Sequence, residues 1–351
     1  YVEDNKHDAL VFKNLVKDIR SSLEEKYSKK EIKDVIDMFL KIENDSSFWR
    51  LTLDSIAIFA TLDECIIYNL KKPITTLAVV ADSFHIKPLI KYFQFQQKYQ
   101  LLNIDGKSFQ IFEGDGYNLE NVELDNSIPK TMEEILGLDY TDSYLTRGSY
   151  SGVTKSVFHG HGGRKEEAEI DLEKFFRQVD SIVYENISKL SKLPMILLAP
   201  SIYHSLFLEI SNNVYLEKNP ISGTFESLGQ AQIKKHIESH IRELFNIKIN
   251  KLIEQYNQLR SSEKSSDQLI EIVSAAVDGR IEVIFIQENK IIPGKIDLIT
   301  KKIKSKDLAH PEVDDILDDL AQITLEKSGQ VFILKKEDMP TESGVAAIYR
   351  Y

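Results

Sequence analysis

The sequence predicts a multidomain protein of mixed α/β and α+β class. Three observations carry this. The chain has 351 residues, enough for two or three domains at ~150 residues each. Runs of helical period alternate with strand-sized apolar runs. A polar, flexible break, Ser261-Ser262-Glu263-Lys264-Ser265-Ser266, sets off a short alternating block at the end of the chain.

The elements follow in order. Leu10, Val11, Leu15 and Ile19 recur at helical spacing, as do Ile32, Val35, Ile36, Phe39 and Leu40, so two helices occupy the start. Ser28 and Glu31 make a capping-box pattern for the second. Strands are expected at 55–60, 65–70 and 76–81, the first two joined as a hairpin. A helix over 84–97 packs back on them, with Pro88 in its first turn, where a missing N–H is tolerated. Strands at 99–104 and 109–112 flank Asp105-Gly106, a hairpin signal, and a third strand is expected at 121–124. Periodicity is lost from 126 to 158, and a stretch that long without structure is usually functional or mobile. Helices at 165–190, 201–210 and 230–260 surround a buried strand at 194–199. After the break come a helix at 269–277, a strand at 282–287, a helix at 311–325 and strands at 330–334 and 344–351.

Composition excludes several classes. Apolar residues make up 42% and charged residues 28%, so the chain is neither collagen-like nor disordered. Forty-four basic and 55 acidic residues leave a net charge of −11, which argues against coating nucleic acid or membrane through a whole-surface field. Local basic contacts with phosphate remain open. A single cysteine, Cys65, allows neither an internal disulfide nor a cysteine-based zinc site, and it fits a reducing compartment. No run reaches the ~18 apolar residues of a membrane span. The polar start is unlike a signal peptide, so a cytoplasmic location is expected.

The most unusual segment is His159-Gly160-His161-Gly162-Gly163-Arg164, directly before a long amphipathic helix. Its glycines allow positive φ and close approach to a partner. A mobile surface loop, a His-x-His metal pair and a phosphate cradle at a helix N-terminus are the readings it permits, but it lacks the ending of a P-loop. His236 and His240 have the i, i+4 spacing of a zinc pair without the intervening sequence of a zinc motif, and they read as an exposed helix face. Lys301, Lys302, Lys304 and Lys306 form a basic run beside Asp314, Asp315, Asp318 and Asp319, either a solvated loop or an RNA contact. Asp105, Glu113 and Asp115 lie on or near strands and could form a carboxylate cluster, though surface turns explain them better.

Three stretches in this order resemble a known superfamily. The first is Ala81-Asp82-Ser83-Phe84-His85-Ile86-Lys87-Pro88-Leu89 with Tyr99-Gln100-Leu101-Leu102-Asn103-Ile104-Asp105-Gly106. The second is His159-Gly160-His161-Gly162-Gly163-Arg164 and its helix. The third is Ala275-Ala276-Val277-Asp278-Gly279-Arg280-Ile281-Glu282-Val283 with Gly344-Val345-Ala346-Ala347-Ile348-Tyr349-Arg350-Tyr351. Together they resemble the class I peptide-chain release factors of eukaryotes and archaea and their relative Pelota, most closely the bacterial archaeo-eukaryotic release factor family. The resemblance implies an α+β N-terminal domain (1–96), an RNase H-like middle domain carrying the loop (97–262) and a Pelota/L7Ae-like C-terminal domain (267–351).

The resemblance also implies a function. The protein would act in the ribosomal A site, with the 159–164 loop directed at the peptidyl-tRNA ester. Gly162, Gly163 and Arg164 stand where the family has its Gly-Gly-Gln tripeptide. His159, His161, Arg164, Lys165, Lys301, Lys302 and Lys304 are the expected RNA contacts. The implied partners are ribosome, rRNA and peptidyl-tRNA, with a translational GTPase as a further candidate, and neither membrane, cofactor nor metal. Two departures matter. Arg164 replaces the glutamine, and the Asn-Ile-Lys-Ser element of stop-codon readers is missing. A non-catalytic A-site occupant and a ribosome-independent RNA-processing enzyme are the alternatives.

Overall fold

The computed structural model describes residues 2–51, 54–96, 98–115, 118–137, 161–304 and 314–351. Contacts divide the chain into two compact units, Tyr1–Phe95 with Asn246–Tyr351, and Gln96–Phe245.

The first unit begins with three helices, α1 (Val2–Glu24), α2 (Lys33–Asn44) and α3 (Ser46–Leu51). They pack through Phe12, Val16, Phe39 and Trp49, with the Phe12 and Trp49 rings 5.3 Å apart. The buried stripe of α1 is rotated from the expected one, since Leu10 is exposed and Phe12 takes the core. Ser28 and Glu31 do bond to each other, but in a turn that precedes α2, whose N-cap Ile32 offers no side-chain bond. Strands β1 (Ser55–Ala60) and β2 (Cys65–Leu70) form the expected antiparallel hairpin, closed by the Thr61 hydroxyl accepting from the amides of Asp63 and Glu64. Residues 76–81 are not a strand. They find no ladder partner, and an apolar run alone does not make one. Helix α4 is shorter than expected, Lys87–Phe93, with Pro88 in its first turn.

The second unit is a three-layer sandwich. Its elements are β3 (Tyr99–Ile104), β4 (Phe109–Gly114), β5 (Leu119–Asn121), α5 (Met132–Leu136), α6 (His161–Val183), a π turn at Tyr184–Ser188, α7 (Lys189–Ser191), β6 (Met195–Ala199), α8 (Ser201–Ile210), β7 (Ile221–Ser222) and α9 (Phe225–Leu259), which is broken at Gly229 (φ 71°) and runs past the unit's end. The described strands form a sheet of order β5-β4-β3-β6-β7. β3 pairs antiparallel with β4 and parallel with β6; β5 is antiparallel to β4 and β7 parallel to β6. This is the RNase H-like arrangement that the resemblance implied. The period of two divides the strands between two cores. Leu102, Ile104, Met195 and Leu197 face α6 and α8, whereas Tyr99, Leu101, Ile196 and Leu198 face Ile233, Ile237 and Ile241 of α9.

Within the stretch read as structureless, α5 carries a full capping box. The Thr131 hydroxyl accepts from the Glu134 amide and the Glu134 carboxylate from the Thr131 amide. The Thr-x-x-Glu signature of this helix is visible in the sequence.

The remaining part of the first unit contains β8 (Ser265–Ser266), α10 (Leu269–Val277), β9 (Ile281–Gln287), β10 (Pro293–Asp297), β11 (Lys302–Lys304), β12 (Asp314–Asp315), α11 (Ile316–Glu326), β13 (Gln330–Leu334) and β14 (Val345–Tyr349). The described strands give a sheet of order β13-β9-β14-β8, on which α10 and α11 pack, and a second of order β11-β10-β12. The end of the expected polar break is no exposed linker. Ser265 and Ser266 are buried, β8 pairs with β14, and the Ser265 hydroxyl donates to the Tyr256 carbonyl at 2.8 Å. A serine-rich run looks like a linker until its hydroxyls find acceptors. Among the described residues no helix is long and apolar enough to cross a membrane.

The β3–β4 turn gives a test. Asp105 Oδ1 accepts from the amides of Lys107 and Ser108, and Gly106 sits at φ 90° against Tyr203. A Cβ there would lie 2.5 Å from the Tyr203 hydroxyl. Gly106→Ala should destabilise the second unit by about 2 kcal/mol, from the left-handed backbone and the overlap together. Denaturant unfolding of Gly106→Ala, with and without Tyr203→Ala, checks this. The second change should recover the overlap part of the loss and not the backbone part.

Candidate functional site

The glycine-rich segment heads α6. That helix is placed by Phe175, Phe176, Val179 and Val183, all fully buried against the sheet. No residue from 166 to 174 is buried, because the stretch is Glu166, Glu167, Ala168, Glu169, Ile170, Asp171, Leu172, Glu173 and Lys174. Within this stretch only Leu172 packs against the core, at its edge. His161 precedes Phe175 by fourteen residues, about 20 Å at 1.5 Å per residue.

The loop expected over 159–164 is helical from His161 onward, so the helix starts four residues earlier than its periodicity suggests. Glycines hid that turn from a pattern reading. The backbones of His161, Gly162 and Gly163 form the first turn, whose N–H groups have no intrahelical acceptor and carry the positive end of the helix dipole. His159 lies outside the described residues, as do the side chains of His161, Arg164 and Lys165. Further along, Lys174 pairs with Asp171 at 3.0 Å and Arg177 with Glu173 at 2.8 Å, so these cations are already matched.

The second basic element is a β-hairpin rather than a loop. Lys295 faces Lys304 and Asp297 faces Lys302 across β10 and β11. Asp297 organises the turn. It accepts from Lys304 Nζ at 2.7 Å and from the amides of Ile299 and Thr300; the bonds from Lys304 first, and then from Thr300, hold its carboxyl well below the usual carboxylate range. Lys301 pairs with Asp278, so of the three described lysines Lys302 is the one both exposed and outside these pairs. Lys306 lies outside the described residues. Two of the neighbouring acids leave solvent. Asp315 and Asp318 are fully buried, and their partners are residues 85–87, far away in sequence. Sequence spacing carries no signal of that pairing.

The carboxylates weighed as a cluster are turn formers. Asp105 and Asp115 accept backbone amides of their own turns, and Glu113 faces Lys98 at 3.8 Å. Among the described residues no group of three or more His, Cys, Asp or Glu could hold a metal ion.

The two histidines of α9 do not share an exposed face. His236 is exposed, but His240 is buried and its Nε2 has no hydrogen-bond partner. Position 240 falls on the Ile233, Ile237 and Ile241 side, where the helix meets its neighbours. Burial lowers the His240 pKa, opposed by Glu217 and Glu243. The unfolded chain then binds the proton more readily than the folded one. This stabilises the fold above the unfolded value near 6.5, and the contribution is lost as pH falls below it. Thermal unfolding at about pH 7.5 and about pH 5.5 tests this. His240→Leu should lose less stability on acidification than wild type, and at the higher pH it should match or exceed wild type by up to about 1 kcal/mol.

Residues 98–280, just over half of the chain, match the family model described as bacterial archaeo-eukaryotic release factor family 3. Among solved structures, the chain is similar to one chain of a model of ribosome-bound archaeal Pelota and ABCE1, with 13% identity over 72% of this chain and 61% of that one, at a TM-score of 0.41. It is similar to the archaeal translation termination factor aRF1, with 13% identity over 96% and 88% and a TM-score of 0.26. It is also similar to S. cerevisiae Dom34, a translation termination-like factor involved in RNA quality control pathways and interacting with Hbs1, with 12% identity over 75% and 64% and a TM-score of 0.37. The chain thus spans less than two thirds of the matched archaeal complex chain and of Dom34. No curated protein matches it.

Proposed function

The chain belongs to bacterial archaeo-eukaryotic release factor family 3, and from that membership we propose a cytoplasmic, ribosome-associated factor that occupies the A site and directs the head of α6 at the peptidyl-tRNA ester. We carry forward the division into an N-terminal domain (1–96), a middle domain (97–262) and a C-terminal domain (267–351) as part of this reading. The observation that carries it is Gly162-Gly163-Arg164 in the family's Gly-Gly-Gln position, at the head of a helix held about 20 Å from its buried anchor.

The chemistry is hydrolysis by positioning. A water oxygen attacks the ester carbonyl carbon, negative charge collects on the carbonyl oxygen, and the terminal tRNA hydroxyl leaves with a proton. Amides at the helix head supply hydrogen bonds to the developing oxyanion. Gly162 and Gly163 keep this turn easy to reshape, since each glycine weakens a helix by about 1 kcal/mol relative to alanine. Unwinding that turn frees the Arg164 amide as well. The Arg164 side chain and Lys165 pair with RNA phosphate, and His159 and His161 stack on or hydrogen-bond to rRNA. Lys302 makes a phosphate contact, while Lys301 and Lys304 reach RNA only by exchanging Asp278 and Asp297.

One observation favours a second reading. Arg164 lacks the water-positioning amide of glutamine, which suits a non-catalytic A-site occupant in rescue or hibernation. A release assay on ribosomes carrying peptidyl-tRNA separates the two. Under the hydrolytic reading, wild type releases peptide and Gly163→Ala releases at least tenfold less. Under the occupant reading, wild type binds without release and Arg164→Gln gains activity. Failure to co-sediment with ribosomes, with the A site empty or filled, sinks both.

Salt dependence tests the hairpin. Lys302→Ala should lower the slope of log binding against log salt by about 1, and Lys301→Ala and Lys304→Ala by less, because those charges are matched internally.

A further inference from the structure

Residues 82–94 make a series of bonds to residues after Lys290, far away in sequence. Lys87 is buried; its ammonium pairs with Asp315 and donates to the Lys290 carbonyl at 2.9 Å. Asp315 is held from its other side by the amides of Ile292 and Leu317. Asp318 accepts from the amides of Ile86, at 3.1 Å, and Lys87, at 2.5 Å, with His85 Nδ1 3.6 Å away. Ser83 donates to Asp319 at 3.0 Å, Gln322 donates to the Phe84 carbonyl, and Lys295 pairs with Asp82. At the far end, the Gln94 amide group bonds both the N–H and the carbonyl of Ile333, at 3.0 and 2.9 Å. Ile333 lies on β13, at the edge of its sheet, so one side chain stands in for a missing strand.

The same segment grips the β1–β2 hairpin. The Phe84 ring meets Phe59 at 5.2 Å, Phe93 meets Tyr68 at 6.5 Å, and the Tyr92 hydroxyl accepts from the Lys71 amide. That hairpin is only two-stranded, with Ile66, Ile67 and Tyr68 exposed, and its further support comes from Ile56, Ile58 and Ala60 of β1 packing on the Phe12–Trp49 cluster. The sheet of β13, β9, β14 and β8 instead has a full core from α10 and α11.

We propose that residues 82–94 are a clasp that fastens the β1–β2 hairpin to the C-terminal sheet, so that part of the hairpin's stability is borrowed from α11 and β13. The buried Lys87 charge fixes the register: a slip of one residue strands Lys87, Asp315 and Asp318 without partners, which is far costlier than losing surface pairs. The apolar residues around it supply the adhesion, Ile90 packing against the C-terminal core.

Hydrogen exchange on the full chain tests this, with β1–β2 and β9 as reporters. Ser83→Ala with Gln94→Ala removes bonds of the clasp without leaving an unpaired buried charge. Amides of β1 and β2 should then exchange at least tenfold faster while β9 keeps wild-type protection. Lys87→Met should give the same order of effects, larger. If Lys87→Met does not fold, the milder double variant decides. Unchanged exchange in β1–β2 overturns the proposal, because the hairpin then stands without the clasp. An equal rise in β1–β2 and β9 also overturns it, because these residues would then serve only the C-terminal core. Neither result depends on ribosome binding, so the clasp and the proposed function fail separately.

Discussion

The placement of α6 on β3 and β6 is the constraint on which the second unit depends. Phe175, Phe176, Val179 and Val183 occupy one stripe of the helix and bury completely against Leu102, Ile104, Met195 and Leu197. Two adjacent phenylalanines leave little freedom in rotation or axial shift, because interiors pack at crystal density and a displaced ring needs a hole of its own size. The sheet position therefore fixes where the helix head lies. The charged residues from Glu166 onward keep that stretch out of the core except for Leu172, which packs against its edge. A buried anchor at Phe175–Val183 and a stretch from Glu166 with no buried residue come from one helix, divided by composition.

Charge in this protein has to be counted after folding. The sequence shows a run of lysines beside a run of aspartates and invites a picture of opposed surface patches. In the fold, Asp315 and Asp318 leave the surface to bind the amides and ammonium of residues 85–87, and Lys301 and Lys304 turn to Asp278 and Asp297. Buried pairs of this kind add little net stability over apolar replacements, but they penalise misalignment heavily. In the proposed clasp they set the register of docking. The lysine run then offers less field to a polyanion than its composition suggests.

The parts legible in the sequence are those governed by local rules. The β3–β4 hairpin follows from Asp105-Gly106, the buried β6 from an uninterrupted apolar run, and α10 from its apolar stripe. The family resemblance rested on motifs in order, and the family match covers their middle section. Three features were not legible. The β10–β11 hairpin has a charged outer face and alternation too short to count. The fate of Ser265 and Ser266 turns on Tyr256 and β14, partners that no window contains. The joining of 82–94 to α11 spans more than two hundred residues and leaves no periodic trace. What local propensity cannot encode, long-range polar satisfaction decides.

The head of α6 then presents a chemically consistent end. Its first-turn N–H groups and helix dipole favour an anion, and Arg164 and Lys165 add two formal positive charges within one turn of it. Glu166, Glu167 and Glu169 follow immediately and confine the positive field to the tip, because charges of opposite sign within a Debye length of about 8–10 Å largely cancel at distance. A tip of this kind attracts phosphate or a developing oxyanion at contact range and little at long range. That suits a protein of net charge −11, whose body as a whole does not seek nucleic acid. It also defines what the arginine changes. Glutamine in that position offers a neutral donor and acceptor able to hold water, whereas arginine offers donors only. In the chemistry proposed above, the two glycines would supply the backbone part, and an arginine in place of glutamine would turn the side-chain part from water toward phosphate.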